Sequence, residues 1–241
     1  MAKKALVLSG GGMFGAWQAG AWRVLAQHFR PNLIVGASVG SLNGYAIAAG
    51  DPPERLCDSW LRPHSIHSPS LDRTIAELLR YPLKLDFAIV LTDLARMKPV
   101  TFRGSQIRAP HLAASCAVPP LRLPVKIDGR WYADGGLLNP LPVFAAVELG
   151  ATDIVAIHVL PRLPGVVLPV LAKPFLAAFG HKPPAPSGVR VATFTAPDRL
   201  GSWLEAVRWN ENNSRRWLLE GAQAADKNIS ALDCLKGSVE R

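Results

Sequence analysis

The sequence predicts an α/β protein with a mostly parallel central sheet, on three observations. Two short, wholly apolar runs, Ala5–Leu8 and Leu33–Val35, each enter a glycine-containing turn followed by a helix-forming stretch, the pattern of strands buried on both faces. A further β–α–β step follows later, with a helix at Val143–Leu149 and a strand at Ile154–Val159. The chain of 241 residues suits one α/β domain better than two, so residues 1–241 read as a single domain.

After Gly10–Gly12, the stretch Ala16–Phe29 places Trp17, Ala21, Val24 and Leu25 at helical spacing, and Pro31 stops it. Leu33–Val35 then leads through Gly36–Gly40 into the small-residue helix Leu42–Ala49, closed by Asp51-Pro52-Pro53. Residues 52–85 read as a cap-like insertion, with helices at Glu54–Leu61 and Leu71–Leu79 around a loop holding His64, His67 and Pro69. Phe87–Leu91 and Val100–Phe102 are strand-like, and Gln106–Ala114 is a short helix ahead of Pro119-Pro120. Val125–Ile127 and Trp131–Ala133 flank Asp128-Gly129, a type I′ hairpin signal. Proline and glycine crowd residues 161–188 before a C-terminal unit over 189–225, a strand at Val189–Phe194 and one helix at Ser202–Ala225.

Composition narrows the class. With 49% hydrophobic and 19% charged residues, the chain is neither disordered nor fibrous. Cys57, Cys116 and Cys234 are odd in number and far apart, which gives no disulfide framework and points to a reducing, cytoplasmic compartment. Lys3 and Lys4 precede only four apolar residues before the glycines, so no export signal is read. The longest apolar stretch, Leu163–Phe179, is broken by Pro164, Pro169 and Pro174 and carries Lys173, which excludes a regular spanning helix. It reads either as a lip against a bilayer or as a buried segment. Trp203, Trp209 and Trp217 likewise read as an interfacial face or as core. The formal charge of +9 is uneven: residues 1–130 hold 16 Lys and Arg against 8 Asp and Glu, so the basic excess lies in the first half. That bias suits an anionic partner, nucleic acid or anionic headgroups, without choosing between them.

Gly10-Gly11-Gly12-Met13-Phe14-Gly15 has the spacing G-x-G-x-x-G between a strand and a helix. A dinucleotide turn of that kind needs a carboxylate about 20 residues on, and the first acidic residue is Asp51. What remains is a turn whose N–H groups converge at a helix N-terminus and suit any negative charge, a reaction oxyanion included. Gly36-Ala37-Ser38-Val39-Gly40 matches G-x-S-x-G in the strand-to-helix setting that presents a serine hydroxyl above a sheet. Ser41 falls inside the next helix, where capping or a core hydrogen bond is its role. A serine needs a proton acceptor. Among six histidines, His158 at a strand end is the candidate triad member. Asp134, after the hairpin and backed by Gly135 and Gly136, is the better placed candidate, since a desolvated carboxylate accepts a proton directly. The bland reading of Asp134 is a turn-forming residue.

Taken in order, these three motifs resemble the patatin-like phospholipase family, as do Ala113–Pro120 before the hairpin and Asn139–Pro142 after it. The resemblance spans about residues 5–160. It implies a three-layer α/β/α fold, Ser38 as nucleophile, and Asp134 as its partner in a Ser–Asp dyad without histidine. It also implies an oxyanion hole in the turn Gly10, Gly11, Gly12 and Met13, with Gly15, Gly36, Gly40, Gly135 and Gly136 supporting the motifs. The implied activity is that of a serine lipid acyl hydrolase of the phospholipase A, lysophospholipase or carboxylesterase type, with no metal or cofactor. Its implied partners are a lipid or acyl-ester substrate and an anionic membrane met peripherally, with no nucleic acid. Where family members commonly carry a basic residue in the glycine turn, this chain has Met13-Phe14. Two other readings stand beside this one: a non-catalytic binding module on the same fold, and a nucleotide-dependent oxidoreductase using the glycine turn.

Overall fold

The apolar run after Lys3 forms β1 (Lys4–Leu8), in which Ala5, Leu6, Val7 and Leu8 have no exposed surface. A strand with no polar face needs cover on both sides, and the rest of the chain supplies it. The computed structural model describes residues 2–63, 70–161, 188–198 and 200–236. The sequence expectations at His64, His67 and Pro69 and over Leu163–Phe179 lie outside those residues.

A 3₁₀ turn at Gly12–Phe14 leads into α1 (Gly15–Leu25), then β2 (Leu33–Gly36) and α2 (Val39–Ala49). Helices α3 (Pro53–Trp60) and α4 (Ser70–Leu78) follow, and place Leu56, Cys57, Trp60, Leu71 and Ile75 in the main core. Strands β3 (Asp86–Asp93) and β4 (Lys98–Arg103) form an antiparallel pair, followed by α5 (Ala109–Ser115). The hairpin β5 (Val125–Ile127) and β6 (Arg130–Asp134) turns at Asp128 and Gly129, both at positive φ, as a type I′ turn requires. Next come α6 (Val143–Glu148), β7 (Asp153–His158) and β8 (Arg190–Thr195).

Strands β3, β2, β1, β7 and β8 are parallel neighbours in that order. The period-2 alternation of strands splits their side chains between two cores. Ala5, Val7, Leu33, Val35, Ile154 and Ala156 pack against Phe144, Ala145 and Ala146 of α6. Leu6, Leu8, Ile34, Val155 and Ile157 face the opposite layer, which holds α1 and α2. The result is the expected three-layer α/β/α arrangement.

The expected single helix over 202–225 is two helices, α7 (Trp203–Val207) and α8 (Glu211–Lys227). Local capping decides this. Ser202 and Glu205 form a capping box on α7, Arg208 is extended, and the Asn210 side chain accepts the Asn213 N–H to start α8. α8 crosses α1 backbone to backbone: a Cβ on Gly20 would lie 2.0 Å from the Leu218 carbonyl, and one on Gly221 2.1 Å from that of Trp17. The three tryptophans accordingly share no face. Trp217 is fully buried, Trp209 donates its Nε1–H to the Trp60 carbonyl at 3.1 Å, and Trp203 stays 38% exposed. No helix among the described residues is long and apolar enough to cross a membrane.

The edge of β3 explains where the hairpin goes. β4 occupies one edge of β3 from Ala88 to Asp93, so β2 and β6 share the other, β2 pairing as far as Ile89 and β6 from Leu91 to Asp93. β6 therefore lies end to end with β2, antiparallel to β3, and its last residue arrives just beyond the carboxyl end of β2.

Candidate active site

β1 and β2 end side by side, with Leu8 opposite Gly36, so the two turns that follow leave the sheet as neighbours. The second turn carries Ser38 at φ 54°, ψ −131°, a conformation costly for a residue with a side chain and characteristic of functional turns. The turn is tight enough that a Cβ on Gly40 would meet the Leu8 carbonyl at 2.4 Å, so only glycine lets α2 begin against β1. Gly36 ends β2 on the other side of the serine, and Ser38 is 8% exposed. Its N–H donates to Ser115 Oγ at 2.9 Å, and Ser115 Oγ shares a second hydrogen bond of 2.7 Å with Ser41 Oγ. Ser41 thus has the buried hydrogen-bonding role that its helix position suggests.

β6 delivers Asp134 to the same place. The Asp134 N–H donates to the Ala117 carbonyl at 3.0 Å, and its own carbonyl accepts the Thr92 hydroxyl at 2.8 Å. Gly135 packs on the Val90 carbonyl, and the Gly136 N–H donates to Asp134 Oδ1 at 2.7 Å. Oδ2 is buried and has no hydrogen-bonded partner among the described residues. Burial raises the carboxyl to about 7, against the opposing pull of the nearby Ser38 hydroxyl and the Gly136 N–H. Such a group is a base of useful strength near neutrality.

The first turn touches both. A Cβ on Gly10 would sit 3.2 Å from Ser38 Cβ and 3.9 Å from Gly136 Cα, which puts all three sequence motifs at one point. Gly10 itself departs from the expected oxyanion set: its N–H is used on the Pro140 carbonyl at 2.9 Å and is not free to meet a ligand. The N–H groups of Gly11, Gly12 and Met13 bond no carbonyl among the described residues. Met13 and Phe14 are 3% and 1% exposed, and Phe14 meets the Trp217 ring edge-on at 5.0 Å. Apolar anchoring to α8 thus holds this turn, and Gly15, packed on Trp60 and Val39, hands it to α1.

His158 stands apart from this group. Strand alternation puts it on the sheet face of Ile154 and Ala156, whereas Asp134 pairs with Leu91 on the other face. Burial lowers its pKa, and its Nε2 is buried without a hydrogen-bonded partner among the described residues. Cys116, a second nucleophile near the carboxyl, is held as a thiol chiefly by burial and then by the Asp134 charge.

The patatin-like phospholipase family model matches residues 6–85 and 109–147, which carry the glycine turn, the serine elbow and the hairpin carboxylate. The chain is a member of the patatin-like phospholipase family. Uncharacterized NTE family proteins of Mycobacterium bovis and Mycobacterium tuberculosis are 36% identical over 75 residues, 31% of this chain. That match spans 21% of the length of those relatives. The crystal structure of VipD from Legionella pneumophila superposes with a TM-score of 0.54 at 12% identity, covering 95% of this chain and 67% of VipD. At that identity the likeness is one of fold.

In this patatin-like fold three contributors escaped the sequence reading. Ser115 and Ala117 lie in the quoted stretch Ala113–Pro120, yet no motif assigns them a partner 77 residues away in Ser38 or a hold on Asp134. Pro140, which takes up the Gly10 N–H, is the third. Each acts through a hydrogen bond set by tertiary structure, which leaves no local spacing to read.

Proposed function

We propose that this patatin-like protein is a serine lipid acyl hydrolase that works through a Ser38–Asp134 dyad. The observation that carries the reading is the buried Asp134 carboxyl, raised to about 7 and acted on by the nearby Ser38 hydroxyl, with an Oδ2 that has no hydrogen-bonded partner among the described residues, beside the strained Ser38 turn. The resting hydrogen bond need not be formed, since such bonds often tighten only when substrate is present. Ser38 Oγ attacks the ester carbonyl as Asp134 takes its proton. The oxyanion draws on the N–H groups of Gly11, Gly12 and Met13, and each such donor is worth about 10²–10³ in rate. Collapse expels the alcohol, which takes the proton back from Asp134. Water, deprotonated by Asp134, then attacks the acyl-serine carbonyl; the C–Oγ bond breaks, Ser38 Oγ takes the proton back from Asp134, and the fatty acid is freed. His158 has no part in these steps.

The substrate class follows the family: a fatty-acyl ester of the phospholipase A, lysophospholipase or carboxylesterase type. A fluorophosphonate probe should label the parent protein and leave Ser38→Ala unlabelled. Hydrolysis of a p-nitrophenyl acyl ester should be lost in Ser38→Ala and Asp134→Ala and kept in His158→Ala. Parent-like turnover by either dyad variant, or no labelling of the parent, sinks the scheme, and the second outcome favours a binding module on the same fold. Comparing lipid extracts treated with parent and with Ser38→Ala protein identifies the ester cleaved.

A further inference from the structure

We infer that the loop Val118–Pro124 and the β5–β6 hairpin form a docking surface for an anionic lipid bilayer, next to the candidate active site. The inference rests on the hydrolase reading only for its purpose; the surface itself is defined by exposure, charge and position.

The loop starts one residue after Ala117, whose carbonyl holds the Asp134 N–H, so it is tied directly to the site. It is apolar where solvent reaches it. Pro119 and Pro120 are exposed, and Leu123 is 79% exposed. Trp131, three residues along β6 from Asp134 and so roughly 10 Å from it, is 52% exposed. Lys126, its register partner on β5, holds its Nζ 6.0 Å from the Trp131 ring centroid. An amphipathic ring beside an ammonium is the pairing suited to the headgroup level of a membrane.

Among the described residues, the charge around the patch that is not in an ion pair has one sign. Arg96 and Lys98 lie on the adjoining β3–β4 hairpin, and with Lys126 their side-chain cations form no ion pair among the described residues. The acidic groups nearby are already engaged. Asp93 is buried under Arg130 at 3.5 Å, Asp128 pairs with Arg108 at 2.7 Å, and Asp72 pairs with Arg122 at 2.9 Å. Free cations around protruding leucine and proline fit anionic headgroups over acyl chains. A nucleic acid would use the cations but gain little from an exposed leucine and two prolines. Because β6 lies beyond the carboxyl end of β2, a bilayer seated here meets the end of the sheet where Ser38 stands, with Trp131 and Lys126 on the sheet face opposite the Asp134 side chain.

The test is flotation of the whole chain with phosphatidylcholine vesicles, with and without phosphatidylglycerol. Parent and Ser38→Ala proteins should float with the anionic vesicles, less at high salt. Leu123→Asp should weaken binding by about tenfold or more, and Lys126→Glu and Trp131→Ala should weaken it too. All three should turn over a soluble short-chain ester like the parent, which shows that they are folded. Equal flotation of Leu123→Asp and parent, equal binding to neutral vesicles, or binding to RNA in place of vesicles overturns the surface. Since flotation needs no turnover, a protein that floats as described but hydrolyses nothing keeps the surface and loses the hydrolase reading.

Discussion

Ser115 Oγ accepts the backbone N–H of Ser38 at 2.9 Å, two residues before Ala117 takes the N–H of Asp134 at 3.0 Å. One short segment at the end of α5 thus holds both members of the proposed dyad, and Ser41 Oγ fixes the Ser115 hydroxyl at 2.7 Å. Ser115→Ala removes a buried acceptor and leaves the Ser38 N–H unmatched, a loss of about 1–3 kcal/mol. If much of this falls on the positioning of Ser38, kcat drops roughly 5- to 100-fold with KM nearly unchanged. Ser41→Ala should fall between Ser115→Ala and the parent. A Ser115→Ala enzyme with parent kcat and a raised KM would contradict a positioning role.

In the proposed dyad the Asp134 carboxyl, raised to about 7 by burial, should set the acid limb of activity. As proton acceptor it works only when ionised, so kcat/KM should rise about tenfold per pH unit below 7 and level off above it. His158→Ala should show the same limb, because the titrating group is elsewhere. An inflection near 4, or one that vanishes with His158, contradicts the assignment.

Much of this site could be read in the sequence because its parts are turns with demanding chemistry. Three glycines after a buried strand, a serine between two glycines and an Asp-Gly hairpin ahead of Asp134 each restrict the backbone locally, and each stands where the sequence puts it. The carboxylate was legible over His158 only in part, since their placement on opposite sheet faces depends on how β6 extends the row of β2 along β3. The break at Arg208 was missed because the helical content of 202–225 outweighed two capping signals, Ser202 with Glu205 and Asn210. The use of the Gly10 N–H by Pro140 joins residues 130 apart and leaves no local mark.

Raising a carboxyl also has a stability consequence, and its sign is fixed. The folded value of about 7 exceeds the ordinary 3.8, so the native state binds the Asp134 proton more tightly than the unfolded chain does. This group's contribution to stability therefore declines as pH rises from about 4 to about 7, and the full penalty applies above that. It is on the order of 4 kcal/mol at most, at about 1.4 kcal/mol per pH unit. Asp134→Asn cannot ionise and still offers an oxygen to the Gly136 N–H. Its Tm should exceed that of the parent by several degrees at pH 8, with less than half that gain at pH 5. A gain independent of pH would mean that the carboxyl titrates normally.

The glycine turn offers a last check, because its backbone and its neighbour act together. Gly12 sits at φ 57°, and a Cβ there would lie 2.2 Å from the Ala206 carbonyl of α7. Gly12→Ala therefore incurs about 1–2 kcal/mol of left-handed strain and also pushes α7 away from the turn. Both effects displace N–H groups proposed to meet the oxyanion, where misplacing one donor costs about 10²–10³ in kcat. Ala206→Gly removes a side chain from α7 but leaves that carbonyl in place, so it should not rescue Gly12→Ala. Fluorophosphonate labelling of Gly12→Ala should slow along with ester turnover while circular dichroism stays that of the parent. Labelling and turnover at parental rates in a folded Gly12→Ala protein would remove this turn from the reaction.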